Sequence, residues 1–167
     1  MRRVFLKSVP ALQYRCFHTR FVQKQQSTNM KYPLDKPDEE WRKELDPEQY
    51  RVIRKKGTEL PGAGKFTNAF PEKGVFVCAA CKELLYKADT KFESHCGWPA
   101  FYENLPGKVN RIEDDSFGMQ RTEVVCSNCG GHLGHIFKGE GYPVPTNERH
   151  CINSVSLDFH KEETNNK

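Results

Sequence analysis

The chain has 167 residues, 37% of them hydrophobic, and a net charge of +4, which suits one domain with a modest core plus a tail. No run approaches the roughly 18–20 apolar residues of a membrane-spanning helix. Residues 1–34 hold seven basic side chains and no acid, so the other 19 basic and 22 acidic residues leave a body of net −3, which argues against a nucleic-acid-binding surface.

The N-terminus reads as an address. Arg2, Arg3, Lys7, Arg15 and Arg20 alternate with Val4, Phe5, Leu6, Val9, Leu12 and Phe17. Val4-Phe5-Leu6 is too short for a secretory signal, and the pattern fits a mitochondrial presequence over residues 1–30, cleaved somewhere in 16–30. The competing reading is a disordered basic arm, and Pro10 weakens a continuous amphipathic helix. Cys16 falls in this leader and has no expected role. Residues 24–37 are polar and read as linker.

A short helix is expected after Pro37, with Asp38, Glu39 and Glu40 favouring its N-terminal dipole. Asp46-Pro47 is a second start, Asp at the N-cap and Pro at the first turn. That helix covers Tyr50, Val52 and Ile53, and Lys55-Lys56-Gly57 ends it, with Gly just past the end. Pro61-Gly62-Ala63-Gly64 is a loop. Short strands follow. Residues 75–77 run into Cys78, and 84–86 follow Cys81. Residues 109–113 and 119–125 flank Asp114-Asp115-Ser116, which suits a hairpin turn. Residues 151–159 alternate, with Cys151, Asn153, Val155, Leu157 and Phe159 on one face and Ile152, Ser154, Ser156 and Asp158 on the other. Residues 163–167 are a polar tail.

Cys78-Ala-Ala-Cys81 and Cys126-Ser-Asn-Cys129 stand 44 residues apart, each between strand-like segments. Two such turns make a tetrahedral four-thiolate site for Zn2+, closed and therefore structural. Gly130-Gly131 permits the positive φ that such turns need. Paired disulfides and a thioredoxin-like redox pair are the alternatives; a reducing compartment and the missing βαβ pattern speak against them.

Cys96 and Cys151 remain. A free cysteine is often only a small buried hydrophobe. Arg149 and His150, however, favour a thiolate at Cys151. In a strand, Arg149, Cys151 and Asn153 share a face, which makes a credible nucleophile. Cys96 could resolve an oxidised intermediate. His132 and His135 would face opposite ways in a regular strand, but Gly131 and Gly134 allow both imidazoles to converge, as proton donors or as props for a loop.

Taken in order, these stretches resemble the B-type methionine-R-sulfoxide reductases over about residues 40–160. They are Leu45-Asp46-Pro47-Glu48-Gln49-Tyr50-Arg51-Val52, Gly57-Thr58-Glu59, both cysteine pairs, Gly97-Trp98-Pro99, His132-Leu133-Gly134-His135 and Cys151-Ile152-Asn153-Ser154. The resemblance implies a mainly β domain over residues 31–162, two twisted antiparallel sheets with short N-terminal helices and one structural Zn2+. It also implies roles. Cys151 would attack the sulfoxide sulfur and become a sulfenic acid as methionine leaves. Trp98 and Phe137 would contact the substrate, Trp98 against its methyl group. His132 and His135 would bind or protonate the leaving oxygen, with Asn153 and Arg149 ordering that network. Cys96 would close a disulfide with Cys151, reopened by a thioredoxin-type reductant. Substrates would be oxidised proteins or peptides, and the enzyme a monomer. Ala100 stands where the family usually has Ser, and His150 where it commonly has Tyr. The rival readings are a non-catalytic zinc-bearing β domain that binds a ligand or protein, which needs neither Cys96 nor Cys151, and a nucleic-acid-binding zinc ribbon.

Overall fold

A computed structural model describes residues 31–114 and 121–161. The expected presequence with Cys16, the turn residues Asp115 and Ser116, and the tail at 163–167 lie outside them.

Helix α1 spans Asp38–Glu44, with three acids in its first turn and Arg42 and Lys43 in its last, as the helix dipole favours. It buries Trp41, whose indole lies under the Lys36 amino group and the Arg54 guanidinium. Helix α2 spans Pro47–Gln49 and starts at a capping box. The Asp46 carboxylate accepts from the Glu48 and Gln49 amides at 2.9 and 2.8 Å, and the Gln49 side chain accepts from the Asp46 amide. The helix then widens into a π turn, Tyr50–Arg54, that buries Val52 and Ile53. Its end differs from expectation: the residue with positive φ is Lys56, at 56°, not Gly57. Gly57 is required for another reason, since a Cβ there would press on the Arg51 carbonyl oxygen at 2.9 Å.

Among the described residues nine strands form two antiparallel sheets. They are β1 Val75–Cys78, β2 Leu84–Lys87, β3 Lys91–Phe92, β4 Ala100–Phe101, β5 Val109–Asp114, β6 Arg121–Cys126, β7 His132–Lys138, β8 Glu148–Ile152 and β9 Leu157–His160. The smaller sheet runs β2-β1-β9 and the larger β3-β4-β8-β7-β6-β5. Strands β5 and β6 pair in register from Val109↔Cys126 to Asp114↔Arg121, as the arms of the expected hairpin.

The single alternating strand expected over 151–159 is not formed. The chain leaves the large sheet after Ile152, makes a 3-10 turn at Ser154–Ser156, and joins the small sheet as β9. Side chains meet the backbone's hydrogen-bonding demand at this crossing. The Asn153 carbonyl oxygen accepts from the Glu59 amide at 3.1 Å, and its NH2 donates to the Leu133 carbonyl at 3.0 Å. The Glu59 carboxylate in turn accepts from the Ser154 and Val155 amides. Alternation of apolar and polar residues cannot foresee an exit that polar side chains stabilise.

One core fills the space between the sheets. Phe76, Leu85, Tyr86, Phe101, Leu133, Ile152 and Leu157 are all fully buried there. Phe76 meets Phe101 edge-on at 5.1 Å, and Tyr86 stacks on Phe101 at 4.3 Å, geometries that aromatic quadrupoles prefer.

Candidate active site

Two thiol clusters stand on this frame. The first joins the β1–β2 turn of the small sheet to the β6–β7 turn of the large one. Both turns close alike. The Lys82 amide donates to the Cys78 carbonyl at 2.8 Å and the Gly130 amide to the Cys126 carbonyl at 2.9 Å. Lys82 and Gly130 take the left-handed conformation, with φ of 62° and 69°. This brings the sulfurs of Cys78, Cys81, Cys126 and Cys129 within 4.8 Å of one another. Cys78–Cys129 and Cys81–Cys126 separations are 3.8 and 3.6 Å. A tetrahedron with metal–sulfur bonds of ~2.3 Å has edges of about 3.8 Å, whereas a disulfide needs about 2.05 Å. The cluster is therefore shaped to hold a metal ion.

The second cluster is Cys96 with Cys151. Ala100 in β4 pairs with Cys151 in β8, and the loop leading into β4 folds back over that strand. His95 and Gly97, at φ 57° and 93°, flank Cys96 and bend the loop. The Gly62 amide donates to the Gly97 carbonyl at 2.7 Å, pinning it to the loop at 61–64. The sulfurs of Cys96 and Cys151 lie 3.7 Å apart, so a small movement closes a disulfide.

Register decides what faces Cys151. Across from β8, β7 sets His135 opposite Cys151 and Phe137 opposite Arg149. Arg149 lies 4.5 Å over the Phe137 ring and is held by the Glu140 carboxylate through two bonds of 2.7 and 2.8 Å. The positive charge of Arg149 works toward a thiolate at Cys151. His150 does not contribute in this way. It points to the opposite face, fully buried, with Nδ1 3.2 Å from the Tyr86 hydroxyl and Nε2 3.2 Å from Glu148. Burial pushes its pKa down. Expected support for the thiolate from His150 is thus corrected by strand alternation itself: adjacent residues face opposite sides.

The two thiols titrate as a pair. The hydrogen bond from Cys151, with the Ser94 hydroxyl donating at 3.1 Å, lowers Cys96 to about 5. The same contact with Cys96, then burial, holds Cys151 up. One proton is shared, so the pair carries one negative charge at neutral pH.

Behind Cys151 a bulge between Val124 and Val125 turns both histidines to one side, and their rings stand 5.5 Å apart. His135 lines the cleft, with its Nε2 3.2 Å from Asp114, and burial lowers its pKa. His132 lies deeper. Its Nδ1 is 2.8 Å from the buried Glu123 carboxylate, whose other oxygen accepts from Lys56 at 2.7 Å. A β-carbon on Gly134 would overlap the Cys151 carbonyl oxygen, so only glycine lets β7 come this close to β8. Trp98 donates its Nε1–H to the Glu59 carbonyl at 3.1 Å. The resulting cleft, about 180 Å³, is lined by Thr58, Trp98, Arg121, Gly134, His135, Phe137, Cys151 and Asn153. It combines a thiol, a cation, an imidazole and two aromatic walls.

Sequence reasoning assigned nothing to Glu59, Glu123 or Glu140. Glu59 lies in the quoted Gly57-Thr58-Glu59 stretch, but its partners Asn153, Ser154 and Val155 are more than ninety positions away. Glu123 and Glu140 sit nine residues from His132 and Arg149, a spacing with no local signature.

Comparison with known proteins places this geometry. Residues 45–161 match the family described as the SelR domain. An uncharacterized protein of Schizosaccharomyces pombe is 74% identical over 136 residues, covering 81% of this chain and 99% of that relative. The peptide methionine sulfoxide reductase B5 of Arabidopsis thaliana is 57% identical over 126 residues, 75% of this chain and 88% of the relative. The chloroplastic peptide methionine sulfoxide reductase B2 of the same plant is 54% identical over 129 residues, 77% of this chain and 62% of the relative.

Proposed function

The chain belongs to the SelR-domain family, which includes the peptide methionine sulfoxide reductases of type B, and from that premise we propose that it reduces the R epimer of methionine sulfoxide in proteins and peptides through Cys151 and Cys96. The observation that supports this most is the pair of sulfurs 3.7 Å apart, with Cys151 on the wall of a cleft beside Arg149, His135 and Trp98. Trp98 and Phe137 offer apolar walls to the methyl and thioether groups. The sulfoxide oxygen leaves only when protonated, and His135 is the imidazole at hand, backed by His132. Cys151 passes its proton to the Cys96 thiolate 3.7 Å away and attacks the sulfur, and the sulfoxide oxygen takes up a proton. The sulfur–oxygen bond then breaks and the oxygen is taken up as hydroxyl by the Cys151 sulfur while the new sulfur–sulfur bond breaks, so methionine departs with that electron pair and Cys151 is left as a sulfenic acid. The Cys96 thiol then displaces water from that acid and closes the disulfide. A thioredoxin-type dithiol reopens it. Asn153 acts by position, since both ends of its amide hold backbone that shapes the cleft.

Cys78, Cys81, Cys126 and Cys129 would hold one Zn2+, which supplies structural cross-linking and no open coordination position. The enzyme acts as a monomer, in the mitochondrion if residues 1–30 are the address their acid-free, Arg-rich composition suggests. Import of the full chain into isolated mitochondria should shorten it at 16–30, and a chain left unimported and whole counts against the address.

The test is reduction of a peptide carrying resolved R or S sulfoxide, with thioredoxin. The R epimer should react, with a rate flat from pH 6 to 8 that falls below about pH 5 as the thiol pair takes up its second proton. Reduction of neither epimer by folded protein would return the chain to the rival reading, a zinc-bearing binding module.

A further inference from the structure

The two redox sulfurs open onto different clefts. Cys151 lines the substrate cleft described above, of which Cys96 is not a wall. Cys96 instead borders a second cleft of about 220 Å³, and Trp98 lines both. One wall of the second cleft is the loop residues Gly62, Thr67 and Asn68, the other the segment Phe92–Trp98, and Phe70 stands at its edge. Phe70 is 48% exposed. The Lys91 ammonium lies 3.5 Å over its ring and donates to the Thr67 carbonyl at 3.1 Å, which holds that edge in place.

The geometry points to this second cleft as the docking site of the protein dithiol reductant, which attacks Cys96 and not Cys151. The inference rests on the disulfide cycle proposed above. Thiol–disulfide exchange is an in-line displacement: the incoming sulfur approaches one disulfide sulfur from the side away from the other. Cys96 borders the second cleft, which is edged by an exposed aromatic ring, the type of residue that anchors protein contacts. Cys151 borders the substrate cleft, walled by Trp98 and Phe137.

The exchange balances. The reductant's first thiolate forms a bond to the Cys96 sulfur, the Cys96–Cys151 bond breaks, and its electron pair stays on Cys151. The reductant's second thiol loses its proton and attacks the first, which releases Cys96 as a thiol that regains that proton. The reductant ends as a disulfide and the enzyme as the dithiol pair with one proton shared between Cys96 and Cys151. Substrate and reductant never compete for one opening.

The experiment oxidises the full chain with one equivalent of sulfoxide peptide, counts thiols, and adds a thioredoxin whose second active-site cysteine is serine. Non-reducing peptide mapping should find the trapped conjugate on Cys96; a conjugate on Cys151 overturns the inference. If the thiol count shows no Cys96–Cys151 disulfide before the reductant is added, the cycle itself has failed, and this separates the two failures. A second variant tests the surface. Phe70→Glu should slow thioredoxin-driven reduction of the disulfide at least about tenfold and leave dithiothreitol-driven reduction and the first turnover unchanged. Equal slowing by both reductants, or by neither, rejects the cleft as the docking site.

Discussion

Cys151→Ser is expected to lower R-sulfoxide reduction by at least about 10⁴-fold, the scale on which enzymes lose rate when their nucleophile is removed. Serine keeps the shape of the side chain but is not ionised at neutral pH and does not stop at a sulfenic acid that a thiol can condense with. The loss should appear in the first turnover, before any reductant is involved. Cys96→Ser separates the steps. It should form one equivalent of methionine per chain at a rate near wild type and then stop with thioredoxin, because the Cys151 sulfenic acid has no partner 3.7 Å away. A rapid-quench count of methionine per chain reads both variants. A Cys151→Ser protein that still gives a full equivalent would remove Cys151 from the mechanism.

Metal removal has the largest expected effect on stability. The four-thiol cluster joins the β1–β2 turn to the β6–β7 turn, so it ties one sheet to the other. Structural zinc contributes an apparent ~10–16 kcal/mol in zinc-finger peptides, comparable to the ~5–15 kcal/mol net stability of a domain. Cys126→Ser, or a strong chelator under reducing conditions, should lower the thermal midpoint by at least about 15 °C, since each kcal/mol moves a domain of this size by a few degrees. Activity should fall in step with unfolding. Metal analysis should find one zinc per wild-type chain. A metal-free protein that melts at the wild-type temperature would rule out the structural role.

The parts of the molecule that were legible in its sequence are those whose physics is local. Asp46-Pro47 announced a helix start because an N-cap and its amides lie within three residues. The paired Cys-x-x-Cys turns announced their cluster because each turn aims two sulfurs by itself. The two-residue strands β3 and β4 left no periodicity to read, yet β4 sets Cys96 over Cys151. The tract 151–159 misled because its alternation is real while its hydrogen bonds are not those of one strand. Asn153 and Glu59 take the backbone out of the large sheet, and Glu59 is ninety-four positions from Asn153. His150 was assigned to the thiol by adjacency, when adjacency in a strand means opposite faces. Resemblance supplied the roles of Trp98, His132 and His135, which spacing alone left open. It did not supply Glu123 or Glu140, the carboxylates that hold His132 and Arg149 in place.

The crossing at residues 153–156 has a consequence for the order in which the molecule is built. Strand β8 fills the gap between β4 and β7, and β9 completes the small sheet, so neither sheet is whole until the final stretch of the domain has been synthesised. All four metal-site cysteines precede that stretch, and chains fold from the N-terminal side as they emerge. A metal bound early would sequester four of the six thiols among the described residues before Cys151 exists to exchange with them. The nucleophilic sulfur thus arrives last, into a framework whose metal-site sulfurs are already spoken for and whose remaining thiol is Cys96.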